Sequence, residues 1–295
     1  MKSWQIGAIA GLIAGIIAGT VYSIFIKLAV SIGLYDPSWR PIFENSFETN
    51  IILPIIWGIF FGIIYSKTHS LIPGKGASRG LFFGLILVLI IWIRHATFSL
   101  AYGWYLNAIG LFFTGFFKWI AFGLVLGLLY DFLCNRYYPK KKELKIKTYD
   151  MQGGFLPGAI AGIVDGMVAM APIIIGPALG LFEIPESPKI LTFDFLINQA
   201  GTHIFINMLW GIIFGALFVR VYNLIPGRGI LKGLIYGLMI YLITTFLWST
   251  FWIGWGLESS ASIALSAARW GIITGFFSTG ITLGLVLGLL YKPPK

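Results

Sequence analysis

Residues 50–90 and 203–243 align without a gap at a shift of 153, and 17 of the 41 positions are identical. At the centre of the match, Leu71-Ile72-Pro73-Gly74-Lys75-Gly76 stands against Leu224-Ile225-Pro226-Gly227-Arg228-Gly229. Three basic positions stay basic: Lys67/Arg220, Lys75/Arg228 and Arg79/Lys232. Gly7-Ala8-Ile9-Ala10-Gly11 returns as residues 158–162, and the run from Gly123 to Tyr130 returns unchanged as residues 284–291. A repeat of this kind restricts the architecture before any local motif is read, because two like halves must share one topology. The halves are 1–139 and 153–295, joined by a basic linker at 140–152.

The solvent for this repeat is lipid. The chain is 58% hydrophobic and 11% charged, with a mean hydropathy of +0.87. A soluble domain carries about 25% charged residues, so a water-facing surface cannot be covered here. Crossing a bilayer as helix takes roughly 20 apolar residues. Eight segments qualify, four per half: 6–31, 47–66, 80–103, 109–130, 154–181, 200–219, 233–256 and 265–291. The alternating pattern of a transmembrane barrel is missing. The expected class is therefore an all-α polytopic membrane protein of eight spans. The apolar run after Lys2 is too long for the core of a signal peptide, and we read it as a retained first span. The lone cysteine, Cys134, excludes an intramolecular disulfide and supplies no metal cluster.

The net charge of +10 reflects orientation rather than nucleic acid. With the N-terminus in the cytoplasm, the inner pieces (1–5, 67–79, 131–153, 220–232 and 292–295) hold 15 Lys and Arg, and the outer loops hold two, Arg40 and Lys189. That asymmetry is the positive-inside pattern, with both termini cytoplasmic. The acids Asp36, Glu44, Glu48, Glu183, Glu186, Asp194 and Glu258 fall on the outer side. Four spans per half return the chain to its starting side. The halves are thus expected to be parallel repeats about an axis along the membrane normal. The linker's basic run is expected to meet anionic headgroups.

Glycines recur every fourth residue at 7, 11, 15 and 19, and again at 154, 158, 162 and 166. Such a row flattens one helix face and lets a neighbour approach closely. The Leu-Ile-Pro-Gly-Lys/Arg-Gly stretches read as tight cytoplasmic turns, whose amides can also form an anion-binding nest.

Ionisable groups within spans are the functional candidates, since each costs about 2.5–3.5 kcal/mol at mid-membrane on insertion scales. Lys27 and Arg269 lie near outer ends and can snorkel. Arg94 and His95 lie roughly 21 Å from the cytoplasmic edge, counting about 1.5 Å per residue. Lys118 and Asp165 come out near the midplane. Asp165 is the only deep acid; it is expected to pair with Lys118, with Arg94 as second choice.

The repeat breaks at these positions. Arg94 aligns with Leu247, His95 with Trp248, Lys118 with Ser278 or Thr279, and Asp165 with Ala14. Glu48, Asn50, His203 and Asn207 open spans two and six on the outer side; with Arg94 and His95 they form a candidate outward-facing vestibule. His95 and His203 are the residues a metal or haem would use, and two histidines without a further cluster are weak grounds for either. Signatures of hydrolases, metalloproteases, intramembrane aspartyl proteases and nucleotide-binding loops are missing from the sequence. It therefore points away from an enzyme and implies no cofactor.

The Gly7–Gly11 opening, His203-Ile204-Phe205 in span six, and the Gly80–Gly84 and Gly233–Gly237 spacings resemble the YagU-type bacterial inner-membrane proteins. The resemblance covers about half of each repeat, and this chain departs from it by being duplicated. It implies a small polytopic protein of a prokaryotic plasma membrane, and no reaction. The sequence thus leads to two functional expectations. One is a small-solute or ion transporter or channel with a polar site between the repeats, an anionic substrate being favoured. The other is a non-catalytic structural or assembly subunit of a larger membrane complex, bound to a partner subunit or to further copies of itself.

Overall fold

The computed structural model describes residues 1–35, 47–101, 103–137, 149–178, 193–259 and 262–294. The outer-loop charges Asp36, Arg40, Glu44, Glu183, Glu186 and Lys189, and residues 140–148 of the linker, lie outside these. Among the described residues there is no strand, and eight helices are long and apolar enough to cross a membrane. They run Ser3–Ser31, Glu48–Leu71, Gly76–Leu100, Tyr105–Tyr137, Met151–Ala171, Ala200–Leu224, Ile230–Leu257 and Gly271–Leu290. Helix is forced on such segments, because hydrocarbon offers no partner to an amide or a carbonyl. The fourth span continues to Tyr137, beyond the expected end at residue 130. Hydropathy marks where oil stops, whereas backbone hydrogen bonding carries the helix on into the basic region.

The chain resolves into two compact units. The first takes Met1–Leu100, Trp104–Lys145 and Gly254–Ala261; the second takes Ala101–Gly103, Ile146–Ile253 and Ser262–Lys295.

The first unit contains α1 (Ser3–Ser31), α2 (Phe47–Thr68), α3 (Gly76–Leu87), a π-helical segment (Val88–Ile93), α4 (Arg94–Ala101) and α5 (Tyr105–Tyr137). On α1 the buried face is Gly7, Ala10, Gly11, Ala14, Gly15 and Ala18, and the exposed face carries Ile9, Ile13, Ile16 and Ile17. Small residues inside and large apolar ones outside invert the pattern of a soluble helix and suit lipid. A β-carbon on Gly7, Gly11 or Gly15 would fall onto the backbone carbonyl of Gly62, Gly58 or Pro54 respectively. Partner numbers fall as the α1 numbers rise, so α1 and α2 are antiparallel at backbone contact. Glycine inside a helix costs about 1 kcal/mol against alanine; the dispersion gained along the seam offsets it. Gly80 meets Gly123 and Gly127 in the same manner, joining α3 to α5. Above this seam Tyr65 stacks edgewise on Tyr130 and on Phe83, each with centroids 5.2 Å apart.

The second unit contains α6 (Phe155–Ala178), α7 (Phe193–Val221), α8 (Ile230–Tyr241), a π segment (Leu242–Phe246), most of α9 (Leu247–Ser259), α10 (Ser262–Gly275), a second π segment (Phe276–Leu283) and α11 (Gly284–Leu290). Gly154 lies on Gly215 and Gly158 on Gly211, while Gly233 lies on Gly284 and Gly237 on Gly280. Phe218 meets Tyr291 at 5.7 Å and Tyr236 at 5.0 Å. From Gly254 onward α9 belongs to the first unit. Gly254 has no side chain where that of Thr49 sits, and the Trp255 indole N–H donates to Asn50 Oδ1 at 3.0 Å.

Both Leu-Ile-Pro-Gly stretches are turns. Gly74 and Gly76 have φ of 94° and 49°, and Gly227 and Gly229 have φ of 91° and 47°, values that a side chain would strain.

Candidate functional site

Among the described residues of the first unit, Lys118 is the most enclosed basic side chain, at 1% exposure. It sits midway along α5, one turn after Thr114 and Gly115. Its ammonium nitrogen is 4.5 Å from the centre of the Tyr22 ring, 5.0 Å from Trp119 and 5.5 Å from Trp92. Each distance is within the roughly 6 Å over which a ring face attracts a cation. The three rings come from α1, α5 and the π segment. Gly115 makes the arrangement possible, because a β-carbon there would run into the Trp92 indole. The Tyr22 and Trp92 rings also touch each other, with centroids 5.7 Å apart.

Around Lys118 lies a short polar layer. Thr114 is fully buried; its hydroxyl donates to the Gly110 carbonyl at 2.8 Å and lies 3.1 Å from the Tyr35 hydroxyl. Tyr35 fits there because Gly110 leaves space for its ring. Burial pushes the Tyr35 phenol well above its ordinary range, against the opposing effect of the Thr114 hydrogen bond, so it stays protonated.

Arg94 follows the π segment directly. It is 7% exposed, and its guanidinium lies over the Phe98 ring at 5.3 Å. His95 is half-buried, and its Nδ1 is in hydrogen-bond contact with the Ile91 carbonyl. A carbonyl only accepts, so Nδ1 is the donor there and carries the proton. A π segment fits one extra residue into the helix and is common at functional sites. Here Trp92 lies within it, and Arg94 and His95 follow it directly.

The vestibule candidates divide between the units. In the first, Glu48 is exposed, whereas Asn50 is buried at 1% exposure and its oxygen takes the Trp255 N–H. In the second, His203 is half-buried, and Asn207, 3% exposed, donates through Nδ2 to the His203 carbonyl at 3.0 Å. Gly162 lies on the Asn207 carbonyl, fixing α6 against α7 at that level. Asp165 is on α6 and 4% exposed. The two end-of-span bases, Lys27 and Arg269, are exposed. Among the described residues no three His, Cys, Asp or Glu side chains are grouped to hold a metal ion.

The two Leu-Ile-Pro-Gly turns differ in chemistry. Asp131 Oδ2 accepts from the Gly76 amide at 2.7 Å, and Arg79 Nε donates to the Gly74 carbonyl at 2.9 Å. In the second turn Lys232 donates to the Tyr222 carbonyl at 2.6 Å and lies over that ring at 4.1 Å.

Sequence reasoning singled out Lys118 without its three rings. A signal existed in part: Trp119 adjoins Lys118, and Trp92 stands two residues before Arg94. Tyr22 and Trp255 carried none. No protein-family model, no curated protein and no solved structure matches the chain, so the YagU-type resemblance stands on its quoted motifs alone.

Proposed function

We propose that this multi-pass membrane protein moves a small anionic solute or ion across the bilayer, along a path that passes Arg94, His95 and Lys118. The observation that carries the reading is the burial of two basic side chains, Arg94 and Lys118, within apolar helices of one unit. Such groups are costly in hydrocarbon, and an ionisable side chain within a span is a functional-site hypothesis by default. In this reading the helices form two parallel four-span repeats with both termini cytoplasmic in a prokaryotic plasma membrane, and the basic linker rests on anionic headgroups. Asp165 is the counter-charge expected of Lys118.

The test is flux of a panel of anions into proteoliposomes. Lys118→Gln and Arg94→Gln should lower the flux of the transported anion at unchanged protein yield. Absence of flux for every anion, or full flux in both variants, refutes the reading. Asp165→Asn leaving both yield and flux unaltered would remove that residue from it.

The second reading is a non-catalytic subunit of a membrane complex. Its support is the enclosure of Lys118 by rings, which suits a fixed structural cation. Co-purification of one membrane partner in constant ratio, with no flux, would favour it.

A further inference from the structure

The surroundings of the Lys118 ammonium have the chemistry of a receptor for an ammonium ion. Three ring faces from separate stretches of chain converge on one nitrogen, at 4.5, 5.0 and 5.5 Å. Two of the rings belong to side chains that are 0% exposed, Tyr22 and Trp92, and the third, Trp119, is 2% exposed. Ring faces attract cations through their quadrupoles, and the attraction strengthens when water is excluded. Gly115 supplies a further indication that the space is built. Any side chain there would displace the Trp92 indole, so the ring's position depends on that glycine. On the other side Trp119 is held by Phe61, edge to face at 5.2 Å.

We propose that Tyr22, Trp92 and Trp119 form an ammonium-binding site whose resident ligand is the chain's own Lys118 amine, and that the site takes methylammonium when that side chain is cut back. A ligand tethered to its receptor meets it at a high effective concentration, so a dilute free cation does not displace it. Methylammonium is the probe because it reproduces the severed tip of lysine, a methylene-like carbon bearing the charged nitrogen. The inference stands apart from the transport reading, since it concerns binding alone.

Lys118→Ala, purified in detergent, should gain a methylammonium-dependent rise in unfolding midpoint of about 2–4 °C. Quenching or enhancement of tryptophan emission should accompany it, because Trp92 and Trp119 line the site. Sodium at equal ionic strength should do neither, and the wild-type protein should be indifferent to both salts. Adding Trp119→Leu to the variant should abolish the response. Should Lys118→Ala fail to fold on its own, methylammonium present during growth and extraction should recover it. A folded variant that ignores methylammonium, or a misfolded one that methylammonium does not recover, overturns the proposal.

Discussion

In the first unit the helix that begins at Gly76 passes through a π segment and brings Trp92 and Arg94 into the interior. In the second, the matching helix passes through Leu242–Phe246 and brings in Thr244, fully buried, whose hydroxyl donates to the Ile240 carbonyl at 2.7 Å. Lys118 in α5 corresponds to Ser278 or Thr279, which are buried hydroxyls in the last helix. A hydroxyl can be satisfied by the carbonyl one turn back on its own helix. In the first unit three aromatic rings gather round the Lys118 amine. Both units nevertheless make the same glycine-to-glycine helix pairs. The second achieves this without a lysine or arginine at those levels, so the cations of the first are not what the pairing requires. The converse difference is Asp165, buried in α6 where α1 has Ala14. Glycine-to-glycine contacts are present in both units, whereas the buried lysine and arginine are in the first and the buried aspartate is in the second.

The sharpest way to break this comparison is at the shared packing. Gly11→Leu should abolish accumulation of folded protein, and Gly158→Leu should do the same, because each side chain would have to enter a neighbouring backbone. Overpacking costs about 1–3 kcal/mol where side chains can yield, and more where backbone cannot. Monodisperse yield after extraction reads the effect. By contrast Gly201→Ala should leave yield intact, since nothing within 4 Å meets a β-carbon there. Wild-type yield from either leucine variant would show that its glycine seam is not what holds that unit. The next largest effect should separate the units. Lys118→Gln should lower anion flux about tenfold, equivalent to roughly 1.4 kcal/mol in a barrier, whereas Thr279→Ala at the matching level should leave it unchanged. Equal losses would mean that the divergence carries no function.

Much of the fold was legible because oil leaves few options. Charge scarcity and span length each follow from the solvent, and the glycine rows announce close contact. The rows do not name their partner: Gly11 reads the same whether it faces Gly58 or another glycine. The site was legible only as single costly residues. Lys118 and Arg94 stand out because charge in a span is rare, but Tyr22 is an ordinary aromatic on α1 until the fold brings it to the lysine. The π segments leave no compositional mark, since one additional residue per turn changes hydrogen bonding and not hydropathy. Trp255 lies 205 residues from Asn50, beyond any local pattern.

That contact gives the third expectation. Trp255→Phe keeps the ring's apolar bulk and removes its N–H, leaving Asn50 Oδ1 without this donor. A buried polar group that loses its partner costs about 1–3 kcal/mol. Tyr236→Phe, which removes a 2.7 Å hydrogen bond to the Phe214 carbonyl in the second unit, should cost less. Its acceptor is a helix carbonyl that keeps its backbone donor. Unfolding midpoints of the two variants under one detergent condition rank them. The reverse order would mean that Asn50 is served by something other than Trp255.

The smallest effect should come from the two Leu-Ile-Pro-Gly turns. The Gly76 amide opens α3 and would lack a partner in the helix; Asp131, reaching over from α5, supplies one. Asp131→Ala removes an acceptor from a helix start, where such a loss costs about 1 kcal/mol, enough to raise local amide exchange roughly fivefold. Exchange should rise across residues 76–79 and stay at its wild-type rate across 229–232. The second turn has no acid at the position matching Asp131, which is Lys292, and a β-carbon at Gly229 would meet nothing within 4 Å. It is tied instead by Lys232, so Lys232→Ala should produce the mirror result, with faster exchange across 222–232 only. Faster exchange at both turns in either variant would refute the assignment of each brace to its own turn.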